Sequence, residues 1–438
     1  MDRNLLDPGL PLIQDADLKD KIVLIRVDHN VVKNGKIKDP YRIDASLPTL
    51  FRVVEQGGRP VLMTHVGRPR DKKTGNITED GHASIEPIVA YLERKLDARF
   101  VLPRLEADGD RGLQDIEPFV GNALRDLKER RITGVYLPNT RCFQGEESGD
   151  ETGDRFARQL ASIADIYVND AFGSWQPHTS TYEVTRHLPA FAGLLMQKEL
   201  VSLKQVLEPA RPFVAILAGS KVDTKIGPLR RIHERVDHLI LGGILYNAYL
   251  CAKYGIQVEG VDEKDIEAAG ELVRMDRGQG KVVELQAVEE SDILHWRETG
   301  RCWTRWVRDF EEGQAYGPFL DAAPESFDFA EVAESLRNAR TIFVNAVMGY
   351  TPHFAEGTER LNREIADNEG ALKLFGGGDT LQEFKNLNPA LYLKALEDPL
   401  YYFFTGGGTV LKAIEEGSPY ALEPVKALVE NGGVRPSP

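Results

Sequence analysis

The sequence of 438 residues contains only three cysteines, Cys142, Cys251 and Cys302. They are too few and too scattered for a disulfide framework, and no Cys-x-x-Cys pair indicates a zinc site. The chain also lacks any run approaching about 18 apolar residues, and its N-terminal stretch has no apolar core typical of a signal peptide. We therefore expect a protein of the reducing cytoplasm that has no membrane partner.

Positive charge is also scarce, because 54 lysines and arginines are outnumbered by 68 aspartates and glutamates, which gives a net charge of −14. This balance argues against a nucleic-acid partner. Any basic residues that bind an anionic substrate must then be gathered locally. An apolar content of 42% is ordinary for a globular protein, and the length is sufficient for two large domains.

Strand-like and helix-like patterns alternate along the first part of the chain. Strands are predicted at 21–30, 59–67, 99–102, 134–137 and 165–170, with helices at 42–54, 84–96, 120–128 and 154–163. The alternation predicts a mostly parallel sheet with helices on both faces, whose ligands bind at the carboxyl ends of strands. Polar residues occupy these predicted ends: Asp28, Asn30, His65, Arg68, Asn139, Arg141, Asn169 and Asp170.

The pattern repeats in the second part, after a predicted helix at 189–207 that has no strand partner of its own. Further strands are predicted at 212–218, 237–241, 281–285, 340–344, 371–375 and 401–404, whereas 292–317 resists assignment. We expect an N-terminal α/β domain at 1–188 that holds an anion, an interdomain helix at 189–207 and a C-terminal α/β domain at 208–417 that holds a nucleotide phosphate. The segment 418–438 is expected to return towards the N-terminal domain.

A run of glycines at 376–378 separates an apolar strand from a predicted helix. Glycine lets backbone N–H groups approach a ligand closely, and a helix start favours negative charge. Asp379 supplies the kind of oxygen ligand that Mg²⁺ prefers, and Thr380 supplies a hydroxyl. Taken alone the stretch also fits an ordinary glycine turn. With basic strand ends in the other domain, it indicates a two-substrate enzyme that closes around an anion and a nucleotide phosphate.

Short motifs spread along the chain match one known family in order and spacing. They lie at residues 26–30, 42, 64–69, 139–141, 169–173, 192–196, 198–200, 221, 225, 348–349, 376–380 and 405–408. Together they resemble phosphoglycerate kinase over nearly the whole chain. The resemblance implies two doubly wound parallel-sheet domains joined by a long helix, in a monomeric kinase that closes about a hinge. It implies reversible transfer of the γ-phosphoryl of MgATP to 3-phosphoglycerate, which yields 1,3-bisphosphoglycerate in glycolysis and gluconeogenesis.

The resemblance also implies roles for individual residues. The acid would bind to Asp28, Asn30, Arg42, His65, Arg68 and Arg141. ATP or ADP would bind to Gly219, Lys221, Lys225, Gly242, Asn345, Gly376, Gly377, Gly378, Asp379 and Thr380, with Mg²⁺ on Asp379. The catalytic groups would be Arg42, Lys221, Gly378, Gly406 and Gly407. A carboxylate nucleophile has no proton to lose, so catalysis reduces to positioning and electrostatic stabilisation.

Several positions depart from the family pattern. The run 174–178 has no arginine where the family uses one to hold the substrate phosphate, and Trp175 is bulkier than the family's small residue. His29 replaces an apolar aromatic residue. On the nucleotide side, the segment after Gly349 is two residues shorter and lacks the glutamate that binds ribose in the family. A bulky side chain also replaces an adenine-pocket glycine at Phe319 and another glycine at Ile244.

Three hypotheses therefore remain open. The chain is a divergent phosphoglycerate kinase, a kinase of the same fold that forms an acyl phosphate on a different carboxylic acid, or a non-catalytic binding paralogue. The last is disfavoured, because Arg42, Lys221 and both glycine loops have little reason to persist together without phosphoryl transfer. The sequence predicts acyl-phosphate formation and leaves the acid and the nucleotide base open.

Overall fold

A computed structural model describes residues 5–78, 83–116, 120–219, 226–293 and 300–433. The chain divides into two compact units, Met1–Val201 with Tyr420–Pro438, and Ser202–Pro419. None of the helices within the described ranges is both long enough and apolar enough to span a membrane.

The first unit contains a parallel sheet and its helices. Its elements in chain order are β1 (Ile22–Val27), β2 (Val32–Lys33), β3 (Lys36–Ile37), α1 (Tyr41–Glu55), β4 (Arg59–Met63), α2 (Glu86–Leu96), β5 (Phe100–Val101), α3 (Gly121–Lys128), β6 (Gly134–Tyr136), α4 (Glu151–Ser162), β7 (Ile166–Asp170), β8 (Ala190–Ala192) and the start of α5 (Leu194–Leu207). The sheet order is β5-β6-β4-β1-β7-β8, and every pairing is parallel.

The central strand β1 explains how this unit gathers polar residues. All six of its residues are buried, as expected for an apolar strand covered on both faces. It pairs with β4 on one side and with β7 on the other, so the strand order reverses beside it. Ligands of open α/β sheets bind at such reversal points, beyond the carboxyl ends of the strands. Helix α1 buries Ile43, Leu47 and Leu50 at helical spacing, which places Arg42 in its first turn.

The second unit contains another parallel sheet and a smaller antiparallel one. Its elements are β9 (Phe213–Ala218), α6 (Ile226–Arg235), β10 (His238–Gly242), α7 (Gly243–Tyr254), β11 (Gln257–Val258), α8 (Glu263–Asp276), β12 (Ala287–Ser291), β13 (Cys302–Trp306), β14 (Ala315–Tyr316), β15 (Phe319–Ala322), α9 (Ala330–Asn338), β16 (Thr341–Asn345), α10 (Glu356–Asp367), β17 (Leu372–Phe375), α11 (Gly378–Leu387), α12 (Pro389–Glu397), β18 (Tyr401–Phe403) and α13 (Gly407–Glu416), after which α14 (Glu423–Asn431) belongs to the first unit. The predicted α/β class with parallel sheets is confirmed.

The parallel sheet of the second unit has the order β10-β9-β16-β17-β18. Its strands end at the glycine-bearing turns that the sequence contains, so these turns lie along one edge of the sheet. The prediction of a strand at 281–285 was wrong. This stretch contacts the edge strand β10 at one point, where Val282 forms an isolated parallel bridge with Leu239. The regular strand is β12, which is held by antiparallel partners β13 and β15 on its two sides.

The prediction of one continuous helix at 189–207 was also wrong at its start. Residues Ala190–Ala192 form the edge strand β8, which pairs with β7, and the helix α5 begins only at Leu194. Asp170 fixes this start, since its Oδ1 accepts backbone N–H groups of Leu195 at 2.9 Å and Met196 at 3.2 Å. A carboxylate at a helix N-terminus satisfies donors that have no partner within the helix.

Replacing Asp170 with asparagine is expected to change how stability depends on pH. Burial raises the pKa of the Asp170 carboxyl to about 7, although the Thr49 hydroxyl and two backbone N–H groups lower it. The native state therefore retains a proton that the unfolded chain releases, so wild-type stability falls as pH rises from about 4 to about 7. Asparagine does not titrate, and the variant should gain up to roughly 4 kcal/mol relative to wild type across that window. Urea unfolding at a series of pH values measures this gain, and a difference independent of pH would contradict it.

Candidate active site

The first unit brings several predicted acid-binding residues together at the carboxyl end of β1. Arg42 Nη1 donates to Asp28 Oδ2 at 3.1 Å, and the Asp28 side chain is 4% exposed while that of Arg42 is 28% exposed. The guanidinium is thus anchored by a buried carboxylate and remains accessible. An anchored arginine loses less freedom when it binds an oxyanion, which suits it to carboxylate or phosphoryl oxygens.

The backbone of Gly67 links two more predicted residues. Its N–H donates to Asn30 Oδ1 at 3.0 Å, and its carbonyl oxygen accepts from Arg141 Nη1 at 2.7 Å. Gly67 has a φ of +61°, a left-handed conformation that favours glycine. Asn139 supports the same loop, because its Oδ1 accepts from the backbone N–H groups of Val66 and Arg141. The loops after β1, β4 and β6 are therefore held in one arrangement.

His65 is buried in this cluster and is uncharged. Arg26 Nη2 donates to His65 Nδ1 at 3.1 Å, so the neutral ring carries its proton on Nε2 and has one donor left. Burial lowers the pKa of His65 well below its ordinary value, and the positive charges of Arg26, Arg141 and Arg42 lower it further. His65 can accordingly donate one hydrogen bond to an anion without adding charge.

Arg26 is a residue of this site that sequence reasoning did not assign. Its side chain is fully buried, and Nε donates to Ser180 Oγ at 2.8 Å. The Ser180 hydroxyl donates in turn to Oε1 of the buried Glu146 at 2.6 Å. A charged residue within the apolar run of β1 was the available signal. Arg26 raises the positive potential beneath His65 without being accessible itself.

The outer part of the cluster is mixed in charge. Arg68 is exposed. Arg141 is largely buried, and this burial lowers its pKa. Its Nε lies 3.3 Å from Glu147 Oε1. His178 Nε2 lies 3.9 Å from the same carboxylate oxygen. Burial also lowers the pKa of His178, so this histidine is uncharged near neutral pH. His178 therefore does not replace the positive charge that is missing from 174–178.

His29 lies between Asp28 and Asn30 in sequence, but its side chain has a structural role. Its ring bonds to the Tyr136 hydroxyl through Nδ1 and to Ser46 Oγ through Nε2, each at 2.9 Å. Burial lowers the pKa of His29 to about 3, so the ring is neutral. With both ring nitrogens engaged, His29 packs the unit and leaves ligand contacts to its neighbours.

The second unit contains a cavity of about 560 Å³ at the ends of its parallel strands. This volume is in the ordinary range for a small-molecule site. Six of the residues expected to bind nucleotide line it: Gly219, Asn345, Gly377, Gly378, Asp379 and Thr380.

The four other residues expected to bind nucleotide are not among the described residues that line the cavity. A side chain at Gly242 would approach Met348 to 2.7 Å, and its neighbour Gly243 lines the cavity instead. Gly376 supports the loop, because its carbonyl oxygen accepts from Asn345 Nδ2 at 2.7 Å. Lys221 and Lys225 lie outside the described residues.

The two glycine loops touch each other beside this cavity. Gly377 has a φ of +114°, and a Cβ on Gly407 would lie only 2.4 Å from the Gly377 Cα and N atoms. Gly377 immediately precedes α11. Gly406 immediately precedes α13, and Gly407 is the first residue of that helix. Two helix N-termini are therefore brought side by side, and their free N–H groups favour an anion. A Cβ on Gly378 would meet no atom within 4 Å, so its space is open to a ligand.

Asp379 fits a magnesium ion that arrives with a nucleotide. It is exposed in the first turn of α11 and lines the cavity. Among the residues that the structure describes, no group of three or more His, Cys, Asp or Glu side chains could hold a metal on its own. Mg²⁺ is usually held by one or two carboxylates together with substrate phosphates and water, so a single carboxylate beside a phosphate cradle matches its needs.

Another part of the cavity lining is apolar. Phe319 is 4% exposed, and its ring stacks on Phe310 with a centroid distance of 5.8 Å and an interplanar angle of 8°. The Phe319 carbonyl oxygen accepts from Asn247 Nδ2 at 2.9 Å, which fixes the backbone. Ile244 lines the same cavity. Both bulky departures on the nucleotide side thus lie at the cavity itself.

Comparisons with known proteins agree with this geometry. A family model for phosphoglycerate kinase matches residues 13–417. The chain is similar to the phosphoglycerate kinase of Dictyoglomus turgidum, with 32% identity over 409 residues that cover 92% of this chain and 95% of that protein. It is likewise similar to that of Roseiflexus castenholzii, with 34% identity over 409 residues and the same two shares.

Solved structures give the same answer for the fold. A phosphoglycerate kinase from Coxiella burnetii superposes with a TM-score of 0.72 at 27% identity, covering 96% of this chain and 99% of that one. The phosphoglycerate kinase of Pyrococcus horikoshii OT3 gives a TM-score of 0.74 at 22% identity, covering 96% and 100%. With a family model spanning nearly its whole length and relatives above 30% identity, this chain belongs to the phosphoglycerate kinase family.

Proposed function

We propose that the protein reversibly transfers the γ-phosphoryl group of MgATP to the carboxylate of 3-phosphoglycerate, giving ADP and 1,3-bisphosphoglycerate. The observation that carries the proposal is the contact between the glycine loops at 376–378 and 406–408, which pairs two helix N-termini beside the 560 Å³ cavity. Such a pair is an anion cradle made of backbone N–H groups. Membership of the family supplies the reaction class, a kinase that acts on a carboxyl group.

The acid is proposed to bind in the first unit. Arg42 and Arg141 offer guanidinium donors to its oxyanions, and the neutral His65 offers one further N–H. Asp28 holds Arg42 in place, and Asn30 holds the Gly67 loop to which Arg141 is bonded. The exposed Arg68 adds positive charge at the outer edge. These groups orient the carboxylate and offset its repulsion from the incoming phosphoryl group.

The nucleotide is proposed to bind in the second unit. Its phosphates would lie against the N–H groups of the two glycine loops, and Asp379 would hold the Mg²⁺ that arrives with them. When bound, the metal neutralises phosphate charge. Asn345 bonds to the Gly376 carbonyl and so keeps the first loop in its cradle conformation. Lys221 and Lys225 are assigned to the phosphates from the sequence resemblance.

The chemical step needs few groups. A carboxylate oxygen of the acid attacks the γ-phosphorus, a new P–O bond forms, and the bond to the β-phosphate oxygen breaks as ADP leaves. No proton moves, so no general base is required. Arg42, Lys221 and the N–H groups of Gly378, Gly406 and Gly407 would stabilise charge on the transferring group. We further propose that a hinge closure of a monomeric, cytoplasmic enzyme brings acid and nucleotide together.

A second candidate is a kinase of the same family that acts on a different carboxylic acid. It is favoured by one feature of the acid site: the run 174–178 supplies no positive charge, since burial lowers the pKa of its only basic residue, His178. Trp175 in the same run is half-buried, and its side chain takes more space than the family's small residue. An acid without a distal phosphate would need neither the missing charge nor that space.

Steady-state assays with MgATP and a panel of acids separate the two candidates. The proposal expects 3-phosphoglycerate to have the highest kcat/KM, with ADP formation strictly dependent on it. The panel includes unphosphorylated glycerate and other short hydroxy acids as matched competitors. Turnover with one of these and none with 3-phosphoglycerate would replace the first candidate with the second. If none of the acids in the panel supports ADP formation, both candidates are contradicted.

A further inference from the structure

Glu383 is a carboxylate of the nucleotide cavity to which no role has been assigned. It lies on α11, lines the cavity and is only partly exposed. Asp379 and Glu383 are four residues apart, so both carboxylates lie on one face of the helix. At about 1.5 Å per residue, Glu383 is roughly 7 Å along the helix axis from Gly378 and the phosphate cradle.

The surroundings of Glu383 hold its carboxylate in place. Burial raises the pKa of Glu383 above its ordinary value, hydrogen bonds from the side chains of Thr351 and Asn386 lower it, and the charge of Asp379 raises it. Thr351 also lines the cavity, so Glu383 is hydrogen-bonded to a second segment of the lining as well as to its own helix. A carboxylate has about four acceptor sites, and two hydrogen bonds leave acceptor capacity for a ligand.

The chemistry of a nucleotide restricts what Glu383 can contact. A carboxylate repels phosphates, and the phosphate cradle lies further towards the helix N-terminus. The apolar part of the lining, with Phe319 and Ile244, suits the face of a base. The donors nearest to the phosphates along a nucleotide are the two vicinal hydroxyls of the ribose. Two adjacent hydroxyls match the two oxygens of one carboxylate.

We propose that Glu383 binds the vicinal ribose hydroxyls of the nucleotide and thereby selects ribonucleotides. The proposal rests on the proposed nucleotide site. It also accounts for the segment 350–354, which contains no acidic residue yet places Thr351 against Glu383. The carboxylate that binds the ribose thus lies on α11, the helix that follows the glycine loop at 376–378. One rigid helix therefore fixes the distance between the ribose-binding carboxylate and the phosphate-binding loop.

Calorimetry with MgADP, Mg-2′-deoxyADP and Mg-3′-deoxyADP tests the proposal without requiring turnover. The wild type is expected to bind ADP about ten- to a hundredfold more tightly than either deoxy nucleotide, which is the range for hydrogen bonds to a charged group. Glu383→Ala is expected to bind all three alike, at the wild-type level for the deoxy nucleotides. Glu397→Ala removes an exposed carboxylate of the neighbouring helix α12 and should keep the wild-type discrimination.

The other outcomes decide against the proposal in distinguishable ways. Equal binding of all three nucleotides by the wild type would overturn the role of Glu383 and leave the nucleotide site intact. A loss of affinity in Glu383→Ala that is the same for all three, and that excess Mg²⁺ restores, would assign the carboxylate to the metal instead. If no adenine nucleotide binds to the wild type, the proposed function fails and this inference fails with it. If Glu383→Ala does not fold, the comparison of MgADP with the two deoxy nucleotides on the wild-type protein still tests the proposal.

Discussion

An Arg42→Ala variant is expected to lose on the order of 10³-fold in kcat, the lower end of the range for an arginine that stabilises a transferring phosphoryl group. Arg42 is anchored to the buried Asp28 at 3.1 Å yet remains 28% exposed, so its guanidinium is both positioned and accessible. The loss should appear mainly in kcat, because an interaction made in the transition state does not contribute equally to ground-state binding. Steady-state kinetics with saturating MgATP measures it.

Two further variants control for this result. Arg42→Lys keeps the charge and the pairing with Asp28 but loses the planar fork, and should also be strongly impaired. Arg94→Ala removes an exposed arginine of α2 in the same unit and should leave kcat unchanged. Thermal unfolding of each variant checks that the buried Asp28 carboxylate tolerates the change. A folded Arg42→Ala enzyme with near wild-type kcat would exclude Arg42 from the chemical step.

Gly407→Ala is expected to lower kcat/KM by about a hundredfold or more, the scale seen when oxyanion donors are displaced. Its Cβ would lie 2.4 Å from backbone atoms of Gly377, so the two glycine loops must move apart. We also expect a loss of about 1–3 kcal/mol in the free energy of unfolding, which is typical of overpacking. Both losses are measurable on the same protein, by steady-state kinetics and by urea denaturation.

Gly378→Ala is the matched control, because a Cβ there would meet no protein atom within 4 Å. This variant should keep wild-type stability and still bind MgADP about tenfold or more weakly, since the added methyl group enters the space proposed for phosphate. Wild-type affinity in Gly378→Ala would mean that the open space beside this glycine does not hold a ligand. Wild-type stability in Gly407→Ala would mean that the loops are not in firm contact.

The parts of the fold that the sequence could predict are those governed by local pattern. The continuous apolar run of β1 and the alternation of strands and helices define the parallel sheets. The polar residues that follow β1, β4 and β6 are at one edge of the first sheet because parallel strands end together. The start of α5 was not predictable locally, because Asp170 fixes it from a different element, far from Leu195 in sequence.

The parts of the site that the sequence could not predict depend on contacts between distant residues. Nothing in the sequence near Glu383 indicates that Thr351 lies against it, or that burial raises its pKa. Arg26 reads as one charge in a strand, and only the chain of hydrogen bonds through Ser180 to Glu146 explains how that charge is tolerated inside the unit. The antiparallel sheet of β12, β13 and β15 similarly forms through pairings that local periodicity does not reveal.

The departures from the family pattern acquire different meanings once the structure is considered. His29 is a satisfied core residue and carries no consequence for the substrate. Phe319 lines the cavity and stacks on Phe310. It therefore changes the apolar part of the lining relative to the family pattern, whereas the glycine loop at 376–378 keeps that pattern. The uncharged His178 leaves the acid site short of one positive charge, so this departure bears directly on which acid binds.

The central claim is that a carboxylate becomes an acyl phosphate, and trapping that product tests it most directly. Wild-type enzyme is incubated with MgATP, 3-phosphoglycerate and hydroxylamine, which converts acyl phosphates to hydroxamates but does not react with phosphate esters. We predict a hydroxamate of 3-phosphoglycerate in amounts equal to the ADP formed, and none with Arg42→Ala over the same time. ADP formation without hydroxamate, or hydroxamate only with another acid, would contradict the claim for 3-phosphoglycerate.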